Sequence, residues 1–478
     1  MKIREKAKIA VIGGGVAGSS VALILGELGL DITLFEKKET LVDGPPICHL
    51  HAGGNLYREI SDAQCLQLLK ESIEFVKLYP FAVDVRPTVI AVPKSDKGEP
   101  SDLFSRLEIL KKEYASLVKS DTTNKVLGDP SEYYRVYDKE TLKILQKSDI
   151  KKEPKSFDAW MIPVAKGIDF EQVKFPLIMV QEYGLNIFKL ASSVTLALSH
   201  ISNVNLLTQT NVCNVTQKGN SWLLEYEKRG KMKEDSFDYL INAAGFRSGN
   251  IDDMLGFKRE RFVEFKAAYV TKWKSEALWP EVIFYGERGT PQGMAQFTPY
   301  PDGYFQLHGM TESITLFKDG LVKSSSLSAQ PKLDSKFLTK IERGWSKTKV
   351  ASRTLQAIKH LAQYIPEFSD AKVASKPLYG AQQIPGDDAT LRAAEVSFEG
   401  KRYARCEIVK ASSVLAMADA ISKQLIDLGY LQSSFYAQRD FKSMTFLDDA
   451  KVSALSEALA TTREYPKSLA DVNNKIVK

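Results

Sequence analysis

Three stretches of the sequence predict an α/β fold with a parallel sheet and a second, mixed sheet. The first, "KIAVIGGGVAGSSVALILGELGLDITLFEKK", reads strand, turn, helix, strand. The second, "FDYLINAAGFRSGN", is an apolar strand that breaks on small residues. The third, "GMAQFTPYPDGYFQLHGM", reads as a hairpin of alternating polar and apolar positions around a Pro-Asp-Gly turn.

Composition sets the frame for these elements. With 478 residues, 44% hydrophobic and 26% charged, the chain suits one large α/β unit or two intertwined domains. A net charge of +6 is small for this length, and no Lys/Arg block with interleaved aromatics stands out, so a nucleic-acid partner is not expected. The mild positive balance is compatible with anionic substrates or a membrane surface. Cys48, Cys65, Cys213 and Cys406 are scattered with no C-x-x-C, which argues against a disulfide framework or structural zinc and fits a reducing cytoplasm. The basic, then apolar, N-terminus resembles a signal peptide, but Gly13-Gly14-Gly15 and Glu27 interrupt it. No run approaches about 18 apolar residues, so no transmembrane helix is expected. Contact with the inner face of a membrane stays open.

In the first stretch, Lys8 to Ile12 is a short apolar run suited to a buried parallel strand. Gly13, Gly15 and Gly18 complete G-x-G-x-x-G. Gly13 permits the tight turn, Gly15 lets the backbone approach a pyrophosphate, and Gly18 lets the helix pack closely on the strand. The helix runs from about Ala17 to Leu28, and its first N–H groups face the phosphates. The next strand ends at Glu36, eighteen residues after Gly18, where a carboxylate can accept ribose hydroxyls; Lys37 adjoins it. An acid at this place favours FAD or NAD over NADP.

"PPICHLHAGGNLYREI", residues 45–60, follows. It holds His49 and His51, two of the chain's five histidines. A metal site would need more ligands nearby, and none is evident. The segments "NVNLLTQTNVCNVTQKGNSWLLEYEKRGKMKEDSFD" and Tyr239 to Asn242 read as a β-meander and a late strand of the first sheet. The adenine of a dinucleotide can rest near Val212, and Ala243-Ala244-Gly245 can pass under it. In the hairpin, Met294 to Thr298 pairs with Tyr304 to Met310. Tyr304, Gln306 and His308 share one face, with Gln296 and Thr298 as a polar row opposite. Such a row needs water or a ligand.

The order G-x-G-x-x-G, Glu36, the V-x-x-V strand at Val212 and "INAAGFRS" resembles the FAD-dependent oxidoreductases of the D-amino-acid oxidase type, which include glycine and sarcosine oxidases. The resemblance spans about residues 7 to 427. It implies a Rossmann-like FAD-binding domain interleaved with a mixed-sheet α+β substrate domain, FAD as cofactor, and oxidation of a small polar substrate by hydride transfer to flavin N5. The implied division is 1–90, 165–255 and 375–430 for the FAD-binding domain and 256–374 for the substrate domain. Residues 91–164 form a helical insertion or cap, and 431–478 a helical tail.

The resemblance also implies roles. Gly53, Gly54 and Asn55 run past the pyrophosphate toward the flavin. His49 or His51 faces the ring, attaches it covalently, or only bonds the loop. His308, with Gln306 beside it and His51 across the site, is the catalytic candidate, as base or hydrogen-bond donor; the alternative is a solvated sheet face. Gln382 stands where an arginine is usual, and Arg392 could replace it. Ser412 or Ser413 caps a last helix whose N-terminus favours negative charge on the reduced flavin, with Lys410 nearby. The electron acceptor is oxygen, a quinone or a protein; with no second G-x-G-x-x-G, NAD(P)H is a poor candidate reductant. The rivals are a flavoprotein acting on RNA or a secondary metabolite, a non-catalytic flavin binder, and an NAD-binding protein.

Overall fold

A computed structural model describes residues 7–43, 60–391, 394, 396–436 and 440–475. Lys8–Ile12 (β1) forms as expected and is buried from Ile9 onward. Its apolar residues lie between two parallel neighbours, Asp31–Phe35 (β2) and Tyr239–Asn242. The sheet has six strands in the order Val396–Glu399, Tyr403–Cys406, Tyr239–Asn242, β1, β2, Val204–Leu207. Every pairing is parallel except that of Val396–Glu399 with Tyr403–Cys406.

Val16–Glu27 (α1) is buried along most of its length. The cause is its neighbours: helices Ile187–Ser199 and Val414–Asp427 pack against it, so no face is left for water. Ile187–Ser199 is itself buried nearly all round. The meander is Thr210–Lys218, Ser221–Lys228 and Lys231–Phe237, an antiparallel sheet of three strands. Phe35 at the end of β2 packs on Tyr226 and Phe237 from the meander, which fixes it over the end of the parallel sheet.

The second sheet has ten strands and is mixed. Its long strand Arg261–Lys272 pairs antiparallel with Tyr304–Gly309 and with Leu378–Pro385. Tyr304–Gly309 pairs with Ala295–Tyr300, which gives the expected hairpin with its first strand ending two residues later than expected, at Tyr300. Glu281–Phe284, Thr88–Pro93, Val173–Val180 and Tyr134–Tyr137 extend the row, and Leu321–Lys323 and Lys372–Val373 also pair with Arg261–Lys272. Helix Lys347–Leu361 backs this sheet, as its periodicity suggests.

Thr88–Pro93, Val173–Val180 and Leu378–Pro385 all pair within the ten-stranded sheet. Their side chains are buried against that sheet's neighbours, which decides their place. The 91–164 segment is not only helical decoration. Tyr134–Tyr137 is an edge strand of the large sheet, and Trp160, Met161 and Val164 of helix Phe157–Gly167 enter its core. The tail is also integrated: helix Asp449–Thr462 packs along Ile187–Ser199. Among the described residues, no helix is long and apolar enough to cross a membrane.

Candidate cofactor and substrate site

The glycine-rich turn closes where β1 meets α1. Gly13 has φ +104°, and a side chain there would strike the Ala243 carbonyl. A Cβ on Gly18 would collide with the Gly13 carbonyl and touch Ala243. These two glycines let the turn, the helix and the Tyr239–Asn242 strand come together. Gly15 differs: a Cβ there would meet nothing within 4 Å among the described residues. Among those residues the space in front of the N-terminus of α1 is open, where free N–H groups favour an anion.

Glu36 closes the next strand. Its carboxylate accepts from Gly14 N at 2.6 Å and Lys38 N at 2.7 Å, so it is held in one orientation by the turn it faces. A carboxylate has further lone pairs, and a ribose hydroxyl can still donate to it. Beside it, Lys37 is pushed below the ordinary lysine pKa, first by the protein packed around its ammonium and then by Arg247, although much of the residue is exposed. An anionic ligand would relieve that crowding of positive charge.

These residues line a cavity of about 930 Å³ that runs from the glycine turn to the large sheet. Gly13, Gly15, Ala17, Glu36, Lys37, Val212, Ala244 and Gly245 line one end, with Ser412. His308, Gln296, Lys266, Met294 and Met310 line the other. Gly18, Gln306 and Ser413 stand behind the lining rather than in it. His49, His51, Gly53, Gly54, Asn55 and Arg392 lie outside the described residues.

The hairpin row is not a solvated face. Gln306 is 1% exposed and His308 8%. Phe305 and Leu307, on the opposite side, enter the apolar core of the large sheet. Burial makes every polar partner count. Tyr300 donates from its hydroxyl to Gln306 Oε1 at 3.1 Å. That orients the amide so that Gln306 Nε2 faces His308 Nε2, 3.1 Å away. With the amide in this orientation its NH2 group donates and His308 Nε2 accepts, which corresponds to the Nδ1–H tautomer. The row continues on the next strands: Gln296 donates to Glu281 at 2.6 Å, and Glu281 also accepts from Arg86 at 2.7 Å.

Two expectations change at the other wall. Ser413 occupies the N-cap position of Val414–Asp427 but makes no capping bond. Its hydroxyl instead donates to buried Glu71 at 2.6 Å, a contact the sequence gives no sign of. Gln382, in the place of an arginine, donates to the Val409 carbonyl and accepts from Lys266 at 3.2 Å. The cation here is thus Lys266, delivered from the neighbouring strand opposite Gly380 and held by Glu264 at 2.8 Å. Lys266 was missed because its strand reads only as apolar alternation. Arg463 and Tyr465, from the tail, also line the cavity and had no local signal.

No protein-family model matches the sequence, and no curated protein matches it. Solved structures do match in fold over most of the chain. Glycine oxidase from Geobacillus kaustophilus superposes with a TM-score of 0.56 at 11% identity, covering 88% of this chain and 95% of that one. L-proline dehydrogenase from P. horikoshii gives 0.55 at 14% identity, covering 90% and 96%. L-alpha-glycerophosphate oxidase from Mycoplasma pneumoniae, solved with FAD bound, gives 0.55 at 15% identity, covering 88% and 95%. The fold is thus the one expected, a Rossmann-like parallel sheet joined to a large mixed sheet, shared with these two oxidases and this dehydrogenase over most of the chain.

Proposed function

We propose that this protein is an FAD-dependent oxidoreductase that oxidises a small polar substrate, an amine or a hydroxy acid, at its C–N or C–OH bond. The observation that carries the reading is the single cavity joining the glycine turn and Glu36 to His308. Its volume, about 930 Å³, is that of a cofactor-sized site. The open space before Gly15, the N-terminus of α1 and Lys37 would hold the pyrophosphate. Glu36 would take the ribose, Val212 the adenine, and Ser412 with Lys410 the far end of the flavin. FAD bound there supplies a two-electron acceptor.

His308 and Lys266 then stand on the substrate side. Lys266 offers a positive charge to a substrate carboxylate. Neutral His308, with its proton on Nδ1, is a hydrogen-bond donor; acting as a base through Nε2 would require breaking the Gln306 contact. This supports the donor half of the sequence expectation over the base half. It also favours an amine substrate, because a neutral amine loses hydride without giving a proton to a base, whereas an alcohol must lose its hydroxyl proton. Oxygen or a quinone would reoxidise the enzyme.

The test is a visible absorption spectrum of the purified protein, repeated on the supernatant after acid precipitation. Flavin released into the supernatant is the expected result. Colour retained in the pellet would make His49 or His51 the site of a covalent link. A colourless protein that also fails to take up added FAD would overturn the reading and favour NAD.

A further inference from the structure

The tail beyond residue 447 ends its helix over the mouth of the cavity, and Arg463 is the first residue after that helix. Its guanidinium reaches back across the chain to the loop that follows Glu36. Nη1 donates to the Val42 carbonyl at 3.0 Å, and Nη2 to the Leu41 carbonyl and Thr40 Oγ1, both at 2.9 Å. Asp43 lies 3.6 Å from Nε. One side chain therefore binds four consecutive residues.

That loop is not relaxed by itself. Val42 has φ +52°, left-handed backbone that a β-branched residue rarely adopts. Such a conformation persists only where its surroundings impose it. Arg463 holds the two carbonyls that flank the turn, and Val42 N donates to the Gly14 carbonyl at 2.8 Å. The loop is thereby pressed against the glycine turn, and the Leu41 side chain packs against Gly14.

The tail is well placed to bear this load. Asn186 donates to the carbonyls of Leu469 and Asp471 at 2.9 and 2.8 Å. Tyr465 donates to the Pro377 carbonyl at 2.9 Å, and Ser468 to Asp302 at 2.7 Å. The segment is thus anchored on both the parallel-sheet side and the large-sheet side of the cavity.

We propose that Arg463 is a positioning residue of the dinucleotide site. It holds residues 40–43 against the glycine turn, which makes the C-terminal segment part of the machinery that retains the cofactor. The proposal rests on the FAD reading above only for its affinity readout. Its second readout, hydrogen exchange at the Val42 amide, is made on cofactor-free protein.

In the full chain, Arg463→Ala is expected to weaken FAD binding by about 10-fold or more, measured by flavin fluorescence titration. It should also speed Val42 amide exchange while leaving amides of β1 protected. Arg463→Lys, with one ammonium for three acceptors, should recover part of both. Native FAD affinity and native Val42 exchange in Arg463→Ala would overturn the proposal. If that variant does not fold, Thr40→Val removes a single acceptor and is read the same way. A smaller loss in the same direction supports the proposal, and no change overturns it. If the wild-type chain binds no FAD, the functional reading falls, and Val42 exchange still decides the positioning role.

Discussion

Replacing Gly15 by valine is expected to give a folded protein that carries no flavin. A Cβ at this position meets no atom of the described residues within 4 Å, so none of them gives folding a steric reason to fail. The backbone there is extended, with φ −69° and ψ −173°, which valine accepts. The added methyls instead fill the space before the first N–H groups of α1, where a pyrophosphate would sit. The control is Gly18→Ala, one helical turn later. Its Cβ collides with the Gly13 carbonyl, so backbone must move, and overpacking of this kind costs about 1–3 kcal/mol. Thermal melting of the two apo proteins separates the cases: Gly15→Val should melt close to wild type, Gly18→Ala clearly lower. A Gly15→Val protein with normal flavin content would remove the glycine turn from cofactor binding.

His308→Ala is expected to keep its cofactor and to slow flavin reduction by substrate about 100-fold or more. His308 lies on the large sheet, away from the glycine turn, so the loss should fall on the chemical step. Anaerobic stopped-flow mixing with whichever substrate bleaches the flavin reads it directly; unchanged kinetics would exclude His308 from the mechanism. Tyr300→Phe gives a finer test. It removes the hydroxyl that orients the Gln306 amide. The amide can then turn its oxygen toward His308 Nε2 and draw the ring proton there. A loss of about 10-fold, with a changed pH profile and normal flavin content, is expected. Identical profiles would show that the tautomer does not matter.

The glycine-turn end of the cavity was legible because its pattern is local. A strand, a G-x-G-x-x-G turn, a helix and Glu36 lie within one short stretch, and each residue type has one physical reason to be there. The hairpin was legible for the same cause, since alternation and a Pro-Asp-Gly turn are properties of neighbours. What escaped depends on contacts between distant segments. Lys266 reaches the cavity only because its strand pairs with Leu378–Pro385. Ser413 meets Glu71 across 342 positions of sequence, and Arg463 meets Val42 across 421. Sheet membership is non-local too: Val173–Val180 is apolar enough for either sheet, and its pairing with Thr88–Pro93 and Tyr134–Tyr137 assigns it.

The interleaving of the two sheets has a consequence for how the protein is made. The strand next to Tyr239–Asn242 is Tyr403–Cys406, so the parallel sheet is unfinished until residue 406 has left the ribosome. The glycine turn after β1 must wait for residues 403–406 before its walls exist. Contacts this distant make folding slow, because loop closure is paid before the pairing rewards it. A dinucleotide would then be captured only after both sheets have paired, and its shortage would leave an apo-protein with its strands already in place rather than a stalled fragment.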